Sequence, residues 1–502
     1  MKTVETNRQM QIVSLAVILL AALPLVMYPD ASKEVIKDTI FKWMTSTFDF
    51  AFLAIGLAAL IFLLTLAFSR HGNIKLSRDK DAPAEFSKGS WATMVFLAGI
   101  ASGLMLWAGT EWGYHYAWTP FGLEAKTDQM YTVGQAYGLF HWGPTAWALY
   151  CVPTIAIAYV YYVRKVHTYG ISEACRGALG SLVDGPLGTL LNYLFIFGVL
   201  GAAATSLGLG TPMISGAFAE VFGFERSTYL DVSIILACTA IFTVSSGLGL
   251  DKGIKNLSNF ATTISIAVVI YVFVVGPTNF ILGLGMDSIG YAVSNYITMS
   301  TWTDKISGSG FPQAWTVFYW AWWVSYAPFM GMFVARISRG RTIREVILGM
   351  LTWGTLGCAI FYIVLGGYSI DLQVNGGVDF QAVVNSSGPA VAIIELFKTL
   401  PLASLVLIAV GISGIVMLAT TFDSAAYTMA CASTKELDEG QEPARNNRLF
   451  WCFAIAVMPV ILLFLGGLKT MQTAAVITGL PIMFILIFMM YTTWKYIRED
   501  NP

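Results

Sequence analysis

Charge is what this chain lacks most. Only 12% of its 502 residues are Asp, Glu, Lys or Arg, where a soluble domain carries about a quarter. A shortfall of that size excludes a soluble protein of this length. The few charges nearly cancel, to a net of -1, so bulk electrostatics exclude a nucleic-acid binder. Histidine is scarce as well. His71, His115, His141 and His167 are the full set, two of them in loops, and no metal constellation emerges from their spacing. The six cysteines are scattered without a CxxC pair, which removes a disulfide framework and a zinc site. With no nucleophile–base set inside the apolar runs, an enzyme is not expected. Rings of pore-lining charge and a selectivity loop, the marks of a channel, are missing too.

What the chain has is apolar length. Hydrophobic residues make up 56% of it, and a helix crosses a bilayer with about 20 of them in succession. Such runs fall near residues 11–28, 49–69, 91–116, 134–163, 188–220, 229–249, 257–285, 313–335, 346–367, 401–430, 449–467 and 471–494. The first is read as a retained helix rather than a signal peptide, because Pro24 stands where a cleavage motif belongs. Twelve spans can be checked against the positive-inside rule. Of the 29 Lys and Arg residues, 21 lie in the N-terminus, alternate loops and the C-terminus, and only 8 in the other set. That division predicts twelve transmembrane helices in an all-α integral membrane protein, with both termini in the cytoplasm. The loops are short. The stretch 370–400 is less hydrophobic and reads as an external loop with one amphipathic helix, about Pro389 to Phe397. Ser288–Met299 reads as an interfacial helix.

Aromatic residues are abundant, at 14% with 15 Trp. Interfacial belts account for most tryptophans, but two clusters run too deep. Span eight reads Trp315-Thr-Val-Phe318-Tyr319-Trp320-Ala-Trp322-Trp323-Val-Ser-Tyr326, more than two helical turns of rings at about 1.5 Å per residue. Span four reads His141-Trp142-Gly143-Pro144-Thr-Ala-Trp147-Ala-Leu-Tyr150. Converging aromatic faces with no acid matched to them suit a cation that donates no hydrogen bonds, held by cation–π attraction. Packing within the bundle is the competing explanation.

Span three carries Gly99 and Gly103 four residues apart. The pair is either a close-packing face or the edge of an unwound segment whose free backbone groups line a site. Charges within spans are costly and mark candidate functional residues, here Glu111 and His115 in span three and Asp423 in span ten. Thr420 and Thr421, beside Asp423, suit a hard cation such as sodium, or bond to the carbonyl four residues earlier. The run Arg336, Arg339, Arg341 and Arg344 follows span eight as a positive-inside loop, placed to grip anionic lipid headgroups.

These segments resemble the betaine/carnitine/choline transporter family. The likeness rests on Gly310 to Thr342, Gly99 to Tyr116, Phe140 to Tyr150, Ala204 to Pro212 and Gly249 to Asn259, and covers essentially the whole chain. The resemblance implies a secondary transporter with a sodium-symporter-like (LeuT-type) core of two inverted five-helix repeats. The division would be 1–90 for two N-terminal helices and a cytoplasmic loop, 91–287 for the first repeat, 288–312 for an interfacial connection, and 313–502 for the second repeat. Spans 3–7 and 8–12 would be the repeats. It also implies a homotrimer working by alternating access in the bacterial inner membrane. The substrate box would be Trp142, Trp147, Tyr150, Trp322, Trp323 and Tyr326, beside Gly99, Ala101 and Gly103 of the unwound segment. Tyr114 and Met330 match the carnitine/γ-butyrobetaine exchanger branch.

The coupling ion divides the family. In the exchanger branch a methionine sulfur and a span-seven arginine stand in for sodium ions. Here the arginine position is Ala261, while Thr420 and Thr421, with Ile100, match the sodium-binding hydroxyl pair of the symporter branch. The expectation is sodium-coupled import of a quaternary-ammonium solute of the betaine, carnitine or choline type. A sodium-independent substrate/product exchanger is the alternative. The short charged end, Tyr496 to Pro502, leads us to expect nutrient acquisition rather than osmotic regulation.

Overall fold

The computed structural model describes residues 4–100, 103–248, 253–438, 440–465 and 468–500. Among them there is no sheet, only isolated bridges between Thr6 and Thr434 and between Lys75 and Thr342. A bilayer offers no water to unpaired backbone groups, so spanning segments must satisfy their own hydrogen bonds. The apolar runs therefore become helices.

We label the main ones α1 (Arg8–Met27), α2 (Asp49–Phe68), α3 (Lys88–Ile100), α4 (Gly103–Ala117), α5 (Gln129–His141), α6 (Pro144–Ala158), α7 (Pro186–Phe222), α8 (Thr228–Leu248), α9 (Lys255–Val275), α10 (Thr278–Ser294), α11 (Thr316–Ile337), α12 (Ile343–Phe361), α13 (Pro389–Lys398), α14 (Ala403–Ala432), α15 (Arg445–Leu465) and α16 (Leu468–Asp500). Each of the twelve expected spans falls on a helix, or on a broken pair of helices, in this set. The boundaries differ in two places. The run at 257–285 is not one span: α9 stops at Val275, and Pro277 precedes α10; a proline removes one helical hydrogen bond and its ring crowds the preceding turn, which kinks or breaks a helix. The interfacial helix expected at Ser288–Met299 begins earlier, as α10, and continues as Tyr296–Thr301. The amphipathic helix of the 370–400 stretch is α13, preceded by a further short helix, Phe380–Ser387.

Two breaks shape the centre. α3 and α4 meet at a bend of 59°, so Gly99 and Gly103 flank a break and do not share one helical face. α5 ends at His141 and α6 begins at Pro144. Proline is suited to the first helical position and disfavours helical geometry in the residue before it, so the WGP sequence dictates this stop.

α11 lies at the core. Every one of its residues from Thr316 to Ile337 is buried, as befits a helix apolar on all sides. It packs along α6, α16 and α7. The outer helices present Leu236, Val244, Phe260, Ile270 and Val274 at the surface, as lipid-facing positions require. The arginine run after α11 is not at the lipid surface. Arg336 and Arg341 are buried. Arg336 pairs with Glu85 at 3.0 Å and Arg341 donates to the Phe86 carbonyl at 2.8 Å, so the 70–90 loop covers this end of α11. The expected headgroup grip is replaced by an internal clamp.

Candidate functional site

The two breaks bring the aromatic clusters of α5–α6 and α11 together. Trp322 and Trp323 stack at 5.0 Å and 8°. Trp142 stands edge-on to Trp323 at 4.8 Å and to Trp322 at 6.1 Å. Tyr150 stands edge-on to Trp323 at 5.8 Å and to Trp147 at 5.8 Å. Tyr326, one turn further along α11, donates to Ser206 of α7 at 2.9 Å.

The broken span abuts this set on both sides of its bend. A methyl group on Gly99 would stand 3.1 Å from Trp147, 3.1 Å from Tyr150 and 3.2 Å from the Met330 methyl, so glycine is what admits the three side chains. One on Gly103 would stand 3.7 Å from both Trp142 and Trp322. The last turn of a helix leaves its carbonyls without helical partners, and side chains take two of them. Tyr150 donates to the Gly99 carbonyl at 3.0 Å and Thr421 to the Leu97 carbonyl at 2.9 Å. Gly103, the first described residue of α4, thus lies beside Trp142 and Trp322. The indole N–H groups of Trp142 and Trp322 are buried and without a protein partner.

Tyr114 is not with the others. It lies 11 residues beyond Gly103 on α4, about 16 Å along the axis. Its ring packs against Trp315 at 5.3 Å and Trp107 at 6.2 Å, and both of these lead to Tyr319 and so to the box. Ala101 falls outside the described residues, and nothing is said of the Ile100 side chain. Thr420 donates to the Val416 carbonyl, and Thr421 to both Met417 and Leu97. Thr421 thus touches the break, while Thr420 makes the local back-bond. Ala261 is buried on α9, and Ser265, one turn on, meets Met417 of α14 at 3.3 Å.

An acid does back the aromatic box, contrary to the expectation. Glu111 is fully buried and receives four groups. His141 meets one carboxylate oxygen at 2.7 Å and His115 at 3.2 Å. Tyr319 and Tyr362 donate to the other at 2.8 and 2.5 Å. The ring of Tyr319 stacks on Trp323, and those of Tyr319 and Tyr362 lie against Trp142. The His141 carbonyl, at the α5–α6 break, accepts from the Trp323 indole at 2.9 Å. Glu111, His115 and His141 therefore form a cluster of metal-ligand type that loop counting had missed. Their mutual hydrogen bonds make it a scaffold behind the box. Sequence reasoning singled out Glu111 and His141 but had no means of pairing them across 30 residues.

A buried aromatic cage at a broken span, within an all-helical multi-pass membrane protein, defines a secondary transporter of the sodium-symporter-like fold. A family model described as betaine/carnitine/choline family transporter matches residues 9–502. The chain belongs to the betaine/carnitine/choline transporter family, and it is not an enzyme. It is 34% identical over 497 residues to a carnitine transporter of Acinetobacter baumannii, covering 99% of this chain and 90% of that one. It is likewise 34% identical over 445 residues to the uncharacterised transporter YeaV of Escherichia coli, covering 88% and 92%. Among solved structures, a substrate-bound outward-open Na+-coupled sialic acid symporter superposes with a TM-score of 0.50 at 11% identity, covering 88% of this chain and 86% of that one. At that identity the likeness speaks for the fold alone.

Proposed function

We propose that the chain imports a methylated quaternary-ammonium solute that also carries a carboxylate, by alternating access and with sodium as the coupling ion. The observation that carries this is the meeting of the Trp142–Trp322–Trp323 faces with the start of α4 at Gly103. Aromatic faces attract an onium group that donates no hydrogen bonds. Two unpartnered indole N–H groups, of Trp142 and Trp322, suit the anionic end. Carnitine, γ-butyrobetaine and glycine betaine have both ends, and choline has only one. The carnitine transporter among the relatives accords with this chemistry. Trp142, Trp147, Tyr150, Trp322, Trp323, Tyr326 and Met330 would form the box with Gly99, Ala101 and Gly103. Tyr114 belongs to an outer aromatic layer on the way in.

Sodium is assigned to Thr421, Thr420 and the carbonyls at the end of α3, including that of Ile100. The support is the Thr421–Leu97 contact and the absence of a cationic side chain at Ala261, one turn before the Ser265 that meets Met417 of α14. Removing external sodium from proteoliposomes is expected to abolish uptake, and Thr421→Ala to raise the sodium concentration needed. Uptake indifferent to sodium would refute the coupling. A sodium-independent exchanger is the second reading, favoured by the Met330 methyl lying against Gly99. In that case preloading vesicles with unlabelled substrate would stimulate uptake strongly. The same reading assigns the chain to a bacterial inner membrane as a homotrimer with cytoplasmic termini. It divides the core into repeats at 91–287 and 313–502.

A further inference from the structure

One buried acid has no part in the box. Asp423 lies in the fully buried stretch of α14, and neither carboxylate oxygen has a hydrogen-bond partner. The hydroxyls of Ser245 and Ser246, in the last turn of α8, face it. Both are buried, and neither has a partner. Two arginines of α15 lie near: Arg448 pairs with Glu442 at 2.8 Å, and the Arg445 guanidinium lies beside Gly247; neither is hydrogen-bonded to Asp423. Cys452, also on α15, completes the surroundings.

An ionised carboxylate left alone inside a membrane protein costs several kcal/mol or more. The molecule must therefore neutralise it. We propose that Asp423, Ser245 and Ser246 hold a sodium ion, at a site distinct from Thr420 and Thr421. Three facts carry this. The four side-chain oxygens all keep unused acceptor capacity, and hard oxygen donors suit a hard cation. A single proton would satisfy one carboxylate oxygen and leave the hydroxyls as they are. The oxygens come from two helices that pack together, α8 and α14, so the fold itself brings them to one place.

The test is binding of radioactive sodium to the purified full-length protein in detergent, without organic substrate. Asp423→Asn is expected to bind one sodium ion fewer per protomer than wild type. The double variant Ser245→Ala/Ser246→Ala keeps the charge and is expected to weaken that ion about tenfold, which corresponds to about 1.4 kcal/mol. Thr421→Ala should keep the Asp423 ion whether or not the threonine pair binds a second one, so failure of the coupling scheme and failure of this site are separable. Wild-type stoichiometry and affinity in Asp423→Asn would overturn the proposal. Should that variant not fold, unchanged affinity in the double serine variant would overturn it equally. A carboxyl neutralised by a proton gives the same overturning result in both variants.

Discussion

Replacing Trp323 by leucine removes one aromatic wall of the box and keeps an apolar side chain in its place. Trp323 stacks on Trp322, stands edge-on to Trp142 and Tyr150, and donates to the His141 carbonyl. One desolvated ring facing an onium group is worth about 0.5–2 kcal/mol, or about 2- to 30-fold in affinity. The site is fully buried, which puts the expected loss in the upper part of that range. The orphaned His141 carbonyl adds about 1–3 kcal/mol, but this falls on the stability of the folded protein. The two effects separate with Trp323→Phe, which retains a ring face and loses only the N–H. Equilibrium binding of labelled carnitine, γ-butyrobetaine and glycine betaine to purified protein is the assay. Trp323→Leu should bind at least about tenfold more weakly and Trp323→Phe within about threefold of wild type, while both melt at lower temperature. Unchanged affinity in a folded Trp323→Leu would return the aromatics of α11 to packing alone and refute the box.

Gly99→Ala is expected to lower transport without loss of membrane insertion, because its methyl meets the Trp147 and Tyr150 rings at 3.1 Å and the Met330 methyl at 3.2 Å, whereas Gly103→Ala meets its neighbours at 3.7 Å and should retain activity; uptake in cells of matched expression compares them. Glu111→Gln replaces an acceptor-only group with one that presents N–H to its donors, and should destabilise by about 2–4 kcal/mol, more than Tyr362→Phe, which deletes one of the four bonds. Thermal unfolding in detergent orders the two, and equal melting would contradict the node. Glu85→Ala leaves the buried Arg336 without its partner, and a loss of about 3–5 kcal/mol is expected for an uncompensated buried charge, measured as a lower Tm with substrate affinity little changed.

Much of the site was legible because its local geometry is written locally. Gly143-Pro144 stops one helix and starts the next, and so places Trp142 at a break. Gly99 and Gly103 mark the other break, although the same spacing also describes an unbroken packing face. Which of the two applies depends on Trp147, Tyr150 and Met330 filling the space beside Gly99, and those side chains come from two other helices. Tyr114 shows the converse. Its resemblance placed it in the box, yet its position along α4 sets it a ring layer further out.

By itself the sequence determined that this is a membrane protein, roughly where its apolar helices lie, and that one span stops at Gly143-Pro144. The bilayer imposes those features one segment at a time, through apolar length, backbone hydrogen bonding and proline geometry. The tertiary structure alone decided the partnerships. Glu111 with His141, Tyr319 and Tyr362, Arg336 with Glu85, and Asp423 facing Ser245 and Ser246 join residues from separate helices. A buried charge cannot choose its partner from its own helix, because its energy depends on whichever polar groups packing brings within reach.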